Sequence, residues 1–273
     1  MSITVAILNF NGKDELARLL PQVRAHGFRH IVVLDDGSTD GSVEWLGTQS
    51  DITTIAGQEN LGPPRNRNRM LGVPTEDIIV FLDNDIQLLG TDNAASVAAE
   101  FERYPDAAVV GPLIYSNADE PMWYNWGHDF RPYAWGVAEA LNRMAIAHWN
   151  NQEVMATIRE IAKGAVSNFE EPGNREVDWV VEMFFAVRAD VFRELNGFDP
   201  NFRMFHSGPD FCLRARGARY QVRLTTRFAA KHLDQRTGTT ETRMRDNVAS
   251  TIYYFHKHYG LSEDLIRSLI LRR

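Results

Sequence analysis

A pair of carboxylates follows a short apolar segment in the first third of the chain. Asp83-Asn84-Asp85 comes directly after residues 78–82, which have the composition of a buried β-strand. A strand end anchored in a sheet holds its side chains rigidly, and paired carboxylates suit a hard divalent cation such as Mg²⁺ or Mn²⁺. Such cations commonly link one or two protein carboxylates to the phosphates of a substrate. Because most Asp-x-Asp triplets are solvated turns, the predicted metal site depends on the position after the strand.

A second polar cluster, Asp35-Asp36-Gly37-Ser38, looks like the start of a calcium-binding loop, but the rest of that motif is missing. Counted from Asp36, the twelfth residue is Gly47 instead of the bidentate Glu that an EF-hand requires. The first polar turn, Asn9-Phe10-Asn11-Gly12, contains neither the dinucleotide-binding Gly-x-Gly-x-x-Gly nor the P-loop Gly-x-x-x-x-Gly-Lys. Calcium-sensor, hydride-transfer and ATPase functions therefore lose their main support.

Hydrophobic periodicity predicts the elements that position these clusters. The β-rich apolar runs are residues 3–8, 31–34, 52–56, 78–82 and 107–110. Residues 15–26 and 94–104 have the one-sided apolar pattern of helices. This alternation is typical of α/β proteins with a mainly parallel sheet flanked by helices, in which ligands bind beyond the carboxyl ends of the strands. We therefore expect the polar clusters, each of which follows a strand, to meet at one edge of the sheet.

The pattern changes after residue 111. Residues 115–136 are aromatic and loop-like, residues 137–164 have a helical pattern, and residues 170–175 are predicted to form a surface turn. The sequence again has a strand-like pattern from residue 177, and a further strand is expected near residues 220–224. The tail beyond residue 240 is predicted to be a helical elaboration.

Composition and charge restrict the function classes. The chain has 273 residues, 44% of them hydrophobic, which is enough for one principal core. A formal net charge of −7 at pH 7 predicts no nucleic-acid surface, so a small molecule or glycan is the expected substrate. Cys212 has no cysteine partner, residues 1–20 lack the pattern of a secretory signal, and the apolar runs are shorter than a membrane span of about 20 residues. These features predict a cytoplasmic protein.

Several short motifs occur in a fixed order along nearly the whole chain. They are Val5-Ala6-Ile7-Leu8-Asn9-Phe10-Asn11-Gly12, Val33-Leu34-Asp35-Asp36-Gly37-Ser38, Glu59-Asn60-Leu61-Gly62, Arg67-Asn68, Phe81-Leu82-Asp83-Asn84-Asp85, Val177-Asp178-Trp179-Val180, Asn196-Gly197-Phe198-Asp199, Asp210-Phe211-Cys212-Leu213-Arg214 and His232. In this order and spacing the sequence resembles the inverting family 2 glycosyltransferases with the GT-A fold, especially their rhamnosyltransferase-like bacterial members. The resemblance implies metal-dependent transfer of a hexosyl or deoxyhexosyl unit from a UDP-, dTDP- or GDP-linked donor to a hydroxyl acceptor, such as a glycan.

The resemblance also implies residue roles. The donor-binding residues would be Asn9, Asn11, Asp35, Asp36, Arg67 and Asp83. The ligands of a Mn²⁺ or Mg²⁺ ion would be Asp85, Asp83 and His232. Residues 1–111 would bind the nucleotide sugar, residues 112–240 would supply the acceptor site and catalytic groups of the same domain, and residues 241–273 would form the tail.

The expected general base is missing from its usual position. Relatives of this type carry Glu-Asp-x-Asp-Leu-Cys-Leu-Arg, whose first Asp is the expected base, whereas this chain has Ser207-Gly208-Pro209-Asp210 before the matching Phe-Cys-Leu-Arg. The usual Gly-Ala after Asp-Trp-Val is also replaced, by Glu182-Met183. We expect Asp210 to be the base, with Glu182 as the second candidate.

Three other functions stay open at this stage. A retaining enzyme would need no protein base, and a non-catalytic protein would bind the donor without transferring it. A sugar nucleotidyltransferase is less expected, because it requires a Gly-rich basic loop where this chain has Asn9-Phe10-Asn11-Gly12.

Two further segments suggest partners. The aromatic residues between 123 and 135 could stack on acceptor sugars or pack in a core. In the tail, an apolar stripe lies beside basic residues and could dock on the protein's own core or on an anionic membrane surface. The stripe is Leu265, Ile266, Leu269 and Ile270, and the basic residues are Arg267, Arg272 and Arg273.

Overall fold

The computed structural model describes residues 1–122, 125–127, 152, 173–233 and 240–270. The strands are β1 Ile3–Asn9, β2 His30–Asp35, β3 Ile52–Ala56, β4 Ile78–Asp83, β5 Ile86–Leu89, β6 Ala107–Tyr115, β7 Trp126–Gly127, β8 Arg175–Glu176, β9 Trp179–Val180, β10 Phe184–Arg188 and β11 Gln221–His232. The α-helices are α1 Lys13–Ala25, α2 Ser42–Leu46, α3 Pro63–Arg67, α4 Asn93–Arg103, α5 Ala189–Glu194, α6 Ser207–Gly217, α7 Thr240–Tyr259 and α8 Glu263–Ile270, and a 3₁₀ helix spans Asn68–Gly72.

The strands form one large mixed sheet in the order β3-β2-β1-β4-β10-β6-β11-β5, with β8 beside β11, and β7 and β9 form a separate pair. The first four strands of this order run parallel to each other, and β11 is parallel to β6. The α/β class and the mainly parallel sheet are therefore confirmed. Three strands run the other way: β10 lies antiparallel between β4 and β6 near the centre of the sheet, and β5 and β8 each pair antiparallel with β11.

Most predicted elements lie within one or two residues of the observed ones, and the largest differences are in two long strands. β6 continues five residues beyond the predicted end at residue 110, and β11 continues to His232 instead of ending at residue 224. The strands lengthen because they pair along each other, with a bulge between Thr225 and Ala229. Half of the predicted loop at 115–136 is described, and within it Trp126–Gly127 forms β7, whereas the predicted helix at 137–164 lies outside the described residues except for residue 152. Of the predicted turn at 170–175, only residues 173–175 are described, and Arg175 begins β8.

Alternating side chains of the buried strands supply two apolar cores, one on each face of the sheet. One face packs against α1 and α4, through residues such as Leu16, Leu19 and Phe101. The opposite face packs against α5 and α6 and is rich in phenylalanine rings that contact one another at centroid distances of 5.3 to 6.1 Å. Both faces are covered, which explains why β4 is apolar at every position from Ile78 to Leu82.

The helices α7 and α8 pack on the main body through a smaller cluster that contains Phe202, Tyr254, Phe255 and Ile266. Ile266 is buried and Leu265 is 46% exposed, so the predicted apolar stripe docks at least partly on the protein itself. Arg272 and Arg273 lie outside the described residues. No helix in the described part of the chain is long and apolar enough to span a membrane.

Candidate active site

The carboxyl ends of β1, β2 and β4 meet at one edge of the sheet. Asn9 is in register with Asp35 on one side, and Leu8 is in register with Asp83 on the other. Parallel pairing of three consecutive strand ends therefore brings residues 9, 35 and 83 together, as the sequence predicted.

A hydrogen-bond network fixes the turn after β2. The amide of Asn9 donates to Asp35 Oδ2 at 2.8 Å, and the Ser38 hydroxyl donates to the same oxygen at 2.7 Å. Asn11 supports the next residue, because Thr39 N donates to its Oδ1 at 2.7 Å. Asn9, Asn11 and Asp35 thus belong to one hydrogen-bonded cluster at the ends of β1 and β2.

Asp36 is buried beside this network. Gly62 N donates to Asp36 Oδ2 at 2.9 Å, and Arg69 Nη2 lies 3.6 Å from Asp36 Oδ1. Burial raises the pKa of Asp36, and the backbone amides and Arg69 oppose this increase. Arg69 was not predicted from the sequence. Its guanidinium also donates to the carbonyl of Asp35 at 2.9 Å.

The middle residue of the Asp-x-Asp triplet connects the loop after β4 to this network. Asn84 Nδ2 donates to Asn9 Oδ1 at 2.8 Å. Gly12 makes room for this contact, since a Cβ at position 12 would lie 2.9 Å from Asn9 Oδ1 and 3.1 Å from Asn84 Cγ. The loop that carries the two aspartates is therefore linked by side chains to β1 and β2.

Asp85 and His232 lie next to each other at the end of the strand pair β5 and β11. His232 is in register with Ile86, and its Nε2 lies 3.2 Å from Asp85 Oδ2. The backbone reinforces the contact, because Leu233 N donates to the carbonyl of Asp85 at 2.9 Å. The structure thus brings together two of the three predicted metal ligands from distant parts of the sequence.

The third predicted ligand, Asp83, is held by a buried arginine. Arg67 Nη2 donates to Asp83 Oδ1 at 3.1 Å, and the Arg67 side chain is only 2% exposed. Desolvation raises the pKa of Asp83 to about 6; Arg67 opposes this shift, and the charge of Asp85 adds to it. Within the described residues, no group of three or more His, Cys, Asp or Glu side chains is close enough to hold a metal ion by itself.

The same guanidinium holds Glu182 in a cradle at the start of α6. Arg67 Nη1 donates to Glu182 Oε2 at 2.7 Å, and the Ser207 hydroxyl donates to that oxygen at 2.6 Å. Gly208 N donates to Glu182 Oε1. A Cβ at position 208 would lie 2.8 Å from Glu182 Oε1, so the carboxylate fills the space in front of Gly208. The two departures from the expected motif are thus in direct contact.

Asp210 lies in the first turn of α6, and its side-chain partners are Arg214, Lys257 and His258. It has no exposed surface and accepts hydrogen bonds from Arg214 Nε at 2.9 Å, Lys257 Nζ at 2.5 Å and His258 Nε2 at 2.7 Å. Burial alone would raise the pKa of Asp210, but these cationic and hydrogen-bonding partners lower it overall. Asp210 is therefore the centre of a buried ion-pair cluster, and this geometry does not support our expectation that it is the base.

All predicted site residues except Asp210 thus lie along one edge of the sheet. Arg67 contacts two carboxylates there, Asp83 and Glu182. The sequence did not predict the parts played by Arg69, Asn84 and Ser207. For Ser207 and Gly208 a signal existed, because their departure from the motif coincides with the departure at Glu182. Arg69 and Asn84 carry no comparable signal, since their roles arise only from the folded loops.

Comparisons with known proteins assign the chain to a family. The model of glycosyl transferase family 2 matches residues 4–162. A curated relative, the pre-mycofactocin glycosyltransferase of Mycobacterium tuberculosis, is 25% identical over 260 residues that cover 92% of this chain but only 46% of the relative. The chain therefore spans about half the length of the curated relatives it matches.

Solved glycosyltransferases share the fold. A mannosyltransferase from Pyrobaculum calidifontis, solved with GDP-Man and Mn²⁺, aligns with a TM-score of 0.60 at 15% identity over 98% of this chain and 67% of its own. GalNAc-T7 with UDP, GalNAc and Mn²⁺ gives a TM-score of 0.61 at 13% identity over 98% of this chain and 54% of its own. TarS of S. aureus in complex with UDP gives 0.57 at 13% identity over 99% and 70%. The predicted GT-A fold is confirmed, and the chain belongs to glycosyl transferase family 2.

Proposed function

We propose that this protein transfers a sugar from a nucleoside-diphosphate donor to a hydroxyl acceptor, with a divalent cation at Asp85 and Glu182 as the general base. The observation that carries the proposal is the bridge formed by Arg67. One buried guanidinium holds Asp83, beside the predicted metal ligand, and Glu182, at the start of α6. A metal-bound donor and a carboxylate base would therefore lie on either side of the Arg67 guanidinium, close enough to act on one acceptor.

The residues at this edge fit a Mg²⁺ or Mn²⁺ ion. Asp85 supplies a hard oxygen, His232 a nitrogen and Asp83 a second carboxylate nearby. A site with one or two protein carboxylates is typical where substrate phosphates complete the coordination. When bound, the cation would stabilise the negative charge that develops on the diphosphate leaving group. The Mn²⁺ in two of the solved relatives is in line with this proposal.

The donor nucleotide would bind along β1 and β2. Asn9, Asn11, Asp35 and Asp36 form the wall of this pocket, which agrees with a nucleotide-binding half in residues 1–111. The solved relatives contain GDP-Man, UDP and UDP-GlcNAc, so we propose UDP-, dTDP- or GDP-linked sugars as donors. The acceptor would be a glycan or another hydroxyl compound, and the cytoplasm stays the predicted location.

The hydrogen bonds of Glu182 support its proposed role as the base. A carboxylate offers about four acceptor positions. Among the described residues, Arg67, Ser207 and Gly208 occupy three of them, which leaves one for an acceptor hydroxyl. The Glu182 side chain is 13% exposed, so it is not sealed off from solvent. Glu182 would take the hydroxyl proton while the acceptor oxygen bonds to the anomeric carbon and the bond to the diphosphate breaks, which inverts that carbon.

A thermal-shift screen tests the donor and metal parts of this proposal. UDP, dTDP and GDP are each added with Mn²⁺, with Mg²⁺ or with a chelator. A ligand at 100 times its Kd stabilises the native state by about 2.7 kcal/mol, so one nucleotide should raise Tm clearly, and only with metal. A screen in which no nucleoside diphosphate raises Tm, or in which the chelator has no effect, would contradict the proposal.

Two aspartate variants make the test specific. Asp85→Ala should abolish the metal-dependent shift while the protein stays folded. Asp106→Asn is the matched control, because Asp106 is exposed at the start of β6, on the opposite edge of the sheet. It should bind nucleotide and metal like the wild type.

A further inference from the structure

We infer that Lys257, on the C-terminal helix α7, is a positioning residue that fixes the cradle of Glu182 and the guanidinium of Arg67. This inference depends on the proposed role of Glu182 as the base. Lys257 lies outside residues 4–162, which the family model matches, so the family assignment says nothing about it.

The first contact of Lys257 is with the helix that holds Glu182. Its Nζ donates to Asp210 Oδ1 at 2.5 Å. Asp210 lies in the first turn of α6, and its backbone N–H donates to the carbonyl of His206 at 2.9 Å. Ser207 and Gly208, which bind the Glu182 carboxylate, begin this same turn. The position of Lys257 therefore fixes the end of the helix on which the base rests.

The second contact of Lys257 is with the segment that supports Arg67. The same Nζ donates to Asp199 Oδ2 at 2.7 Å. Asp199 directly follows Phe198, whose ring lies 5.4 Å from the Arg67 guanidinium carbon. Phe198 is itself fixed by Asn68, since its N–H donates to Asn68 Oδ1 at 2.8 Å. One ammonium group thus connects the two segments that enclose the Arg67–Glu182 pair.

The ion pairs of Lys257 with Asp199 and Asp210 indicate a role in positioning as well as in stability. Buried charges lose their hydration, and well-packed apolar residues often stabilise a protein as much as a buried ion-pair cluster does. Asp210 nevertheless has three cationic or hydrogen-bonding partners and no exposed surface. Directional contacts of this kind fix angles and distances that apolar packing does not, and a base must lie within a few tenths of an ångström of its working position.

The test compares Lys257→Met with Lys257→Arg. Met keeps the unbranched stem and removes the charge, while Asp210 keeps Arg214 and His258, so the variant should fold. The measured quantities are kcat for hydrolysis of UDP-, dTDP- or GDP-linked sugars with Mn²⁺, KM for the donor, and Tm. Misplacement of a reacting group by about 1 Å can cost about 100-fold in rate, so kcat should fall between about 10- and 100-fold with little change in KM. Lys257→Arg should recover most of the loss.

Ile266→Ala supplies the matched stability control. Ile266 is buried in the C-terminal apolar cluster with Phe202, Tyr254 and Phe255, and its side chain carries no charge. This variant should lower Tm without a change in the kcat of the folded protein. The inference is overturned if Lys257→Met turns over like the wild type, or if Ile266→Ala loses kcat as strongly at equal Tm. A wild-type protein that binds or hydrolyses no donor would instead contradict the proposed function.

Discussion

The carboxylate of Glu182 occupies the space that a side chain at position 208 would need, so position 208 must be glycine as long as residue 182 is glutamate. A Cβ at position 208 would lie 2.9 Å from Glu182 Cδ as well as 2.8 Å from Oε1. The backbone N–H of Gly208 then donates to the carboxylate that fills this space. The glycine is therefore explained by its neighbour and not by its own backbone conformation.

Gly208→Ala should therefore be destabilising, although alanine is the better helix former. We expect the free energy of unfolding to fall by about 1–3 kcal/mol, the usual cost of overpacking. Gly217→Ala, in the same helix and with open space around it, should be neutral or stabilising. Urea unfolding of both variants measures the difference.

A double variant decides whether Glu182 causes the effect. In Glu182→Ala/Gly208→Ala the added methyl group has room, so the two changes should cost less together than their sum. Strictly additive free energies would contradict the packing argument, because residues in contact are expected to couple.

Sequence reasoning could predict most of the fold, because buried parallel strands and amphipathic helices carry strong periodic signals. β3 was predicted with its observed bounds, and the polar residues after β1, β2 and β4 meet as expected. The antiparallel direction of β10 could not be predicted, since an apolar run such as Phe184–Arg188 is the same in either direction. Which of Asp210 and Glu182 lies at the sheet edge also could not be predicted, because it depends on how α6 packs against α7.

Amide variants of the two carboxylates should separate their roles. Glu182→Gln removes the base while it keeps the size of the side chain, so kcat should fall by about 10²–10⁴-fold while nucleotide affinity stays near that of the wild type. Asp210→Asn should lower stability by about 3–5 kcal/mol, because it leaves buried cations without their carboxylate. It should also lower kcat, but less than Glu182→Gln does, because it weakens the contact through which Lys257 positions the cradle. Donor hydrolysis and calorimetric titration measure both effects.

The opposite result would reverse the assignment. If Asp210→Asn lost the larger part of kcat in the folded protein and Glu182→Gln did not, Asp210 would be the base. If both variants kept wild-type turnover, a mechanism without a protein base would be favoured.

Asn84 should couple the proposed nucleotide site to the proposed metal site. Asn84→Ala removes the hydrogen bond to Asn9. One such bond contributes about 1 kcal/mol, so the metal-dependent affinity for a nucleoside diphosphate should fall about fivefold. Gly12→Ala should have a similar effect, because the added methyl group would displace the Asn84 amide. Titration with UDP, dTDP or GDP in Mn²⁺ checks this, and wild-type affinity in both variants would contradict it.

Acid stability should depend on His206. Burial lowers the pKa of His206 to about 4, against the opposing effect of a hydrogen bond with Asn247. The unfolded chain takes up a proton on this residue below about pH 6.5, whereas the folded protein does so only below about pH 4. The stability that depends on neutral His206 is thus fully present above pH 6.5 and is lost as the pH falls from about 6.5 to about 4, by on the order of 3 kcal/mol.

Urea unfolding at pH 7.5 and pH 4.5 measures this effect. His206→Gln should lose less stability between the two pH values than the wild type. The matched control is His256→Gln, at an exposed histidine of α7, which should follow the wild type. Equal acid sensitivity in His206→Gln and the wild type would exclude His206 as the cause.

The site should need one carboxylate in the space between Arg67 and Gly208, whichever backbone segment carries it. Glu182→Gly alone should lose most of kcat, and Gly208→Asp alone should be inactive and destabilised, because two carboxylates would compete for one space beside Arg67. Glu182→Gly/Gly208→Asp restores a single carboxylate there, now carried by α6, as in the relatives whose motif this chain otherwise resembles. We expect the double variant to regain at least about tenfold in kcat over either single variant, which is part of the 10²–10⁴-fold that a base contributes. NMR of the product should show an inverted anomeric centre for both the wild type and the double variant. No recovery together with a folded, nucleotide-binding double variant would show that Glu182 does more than supply a carboxylate at this point.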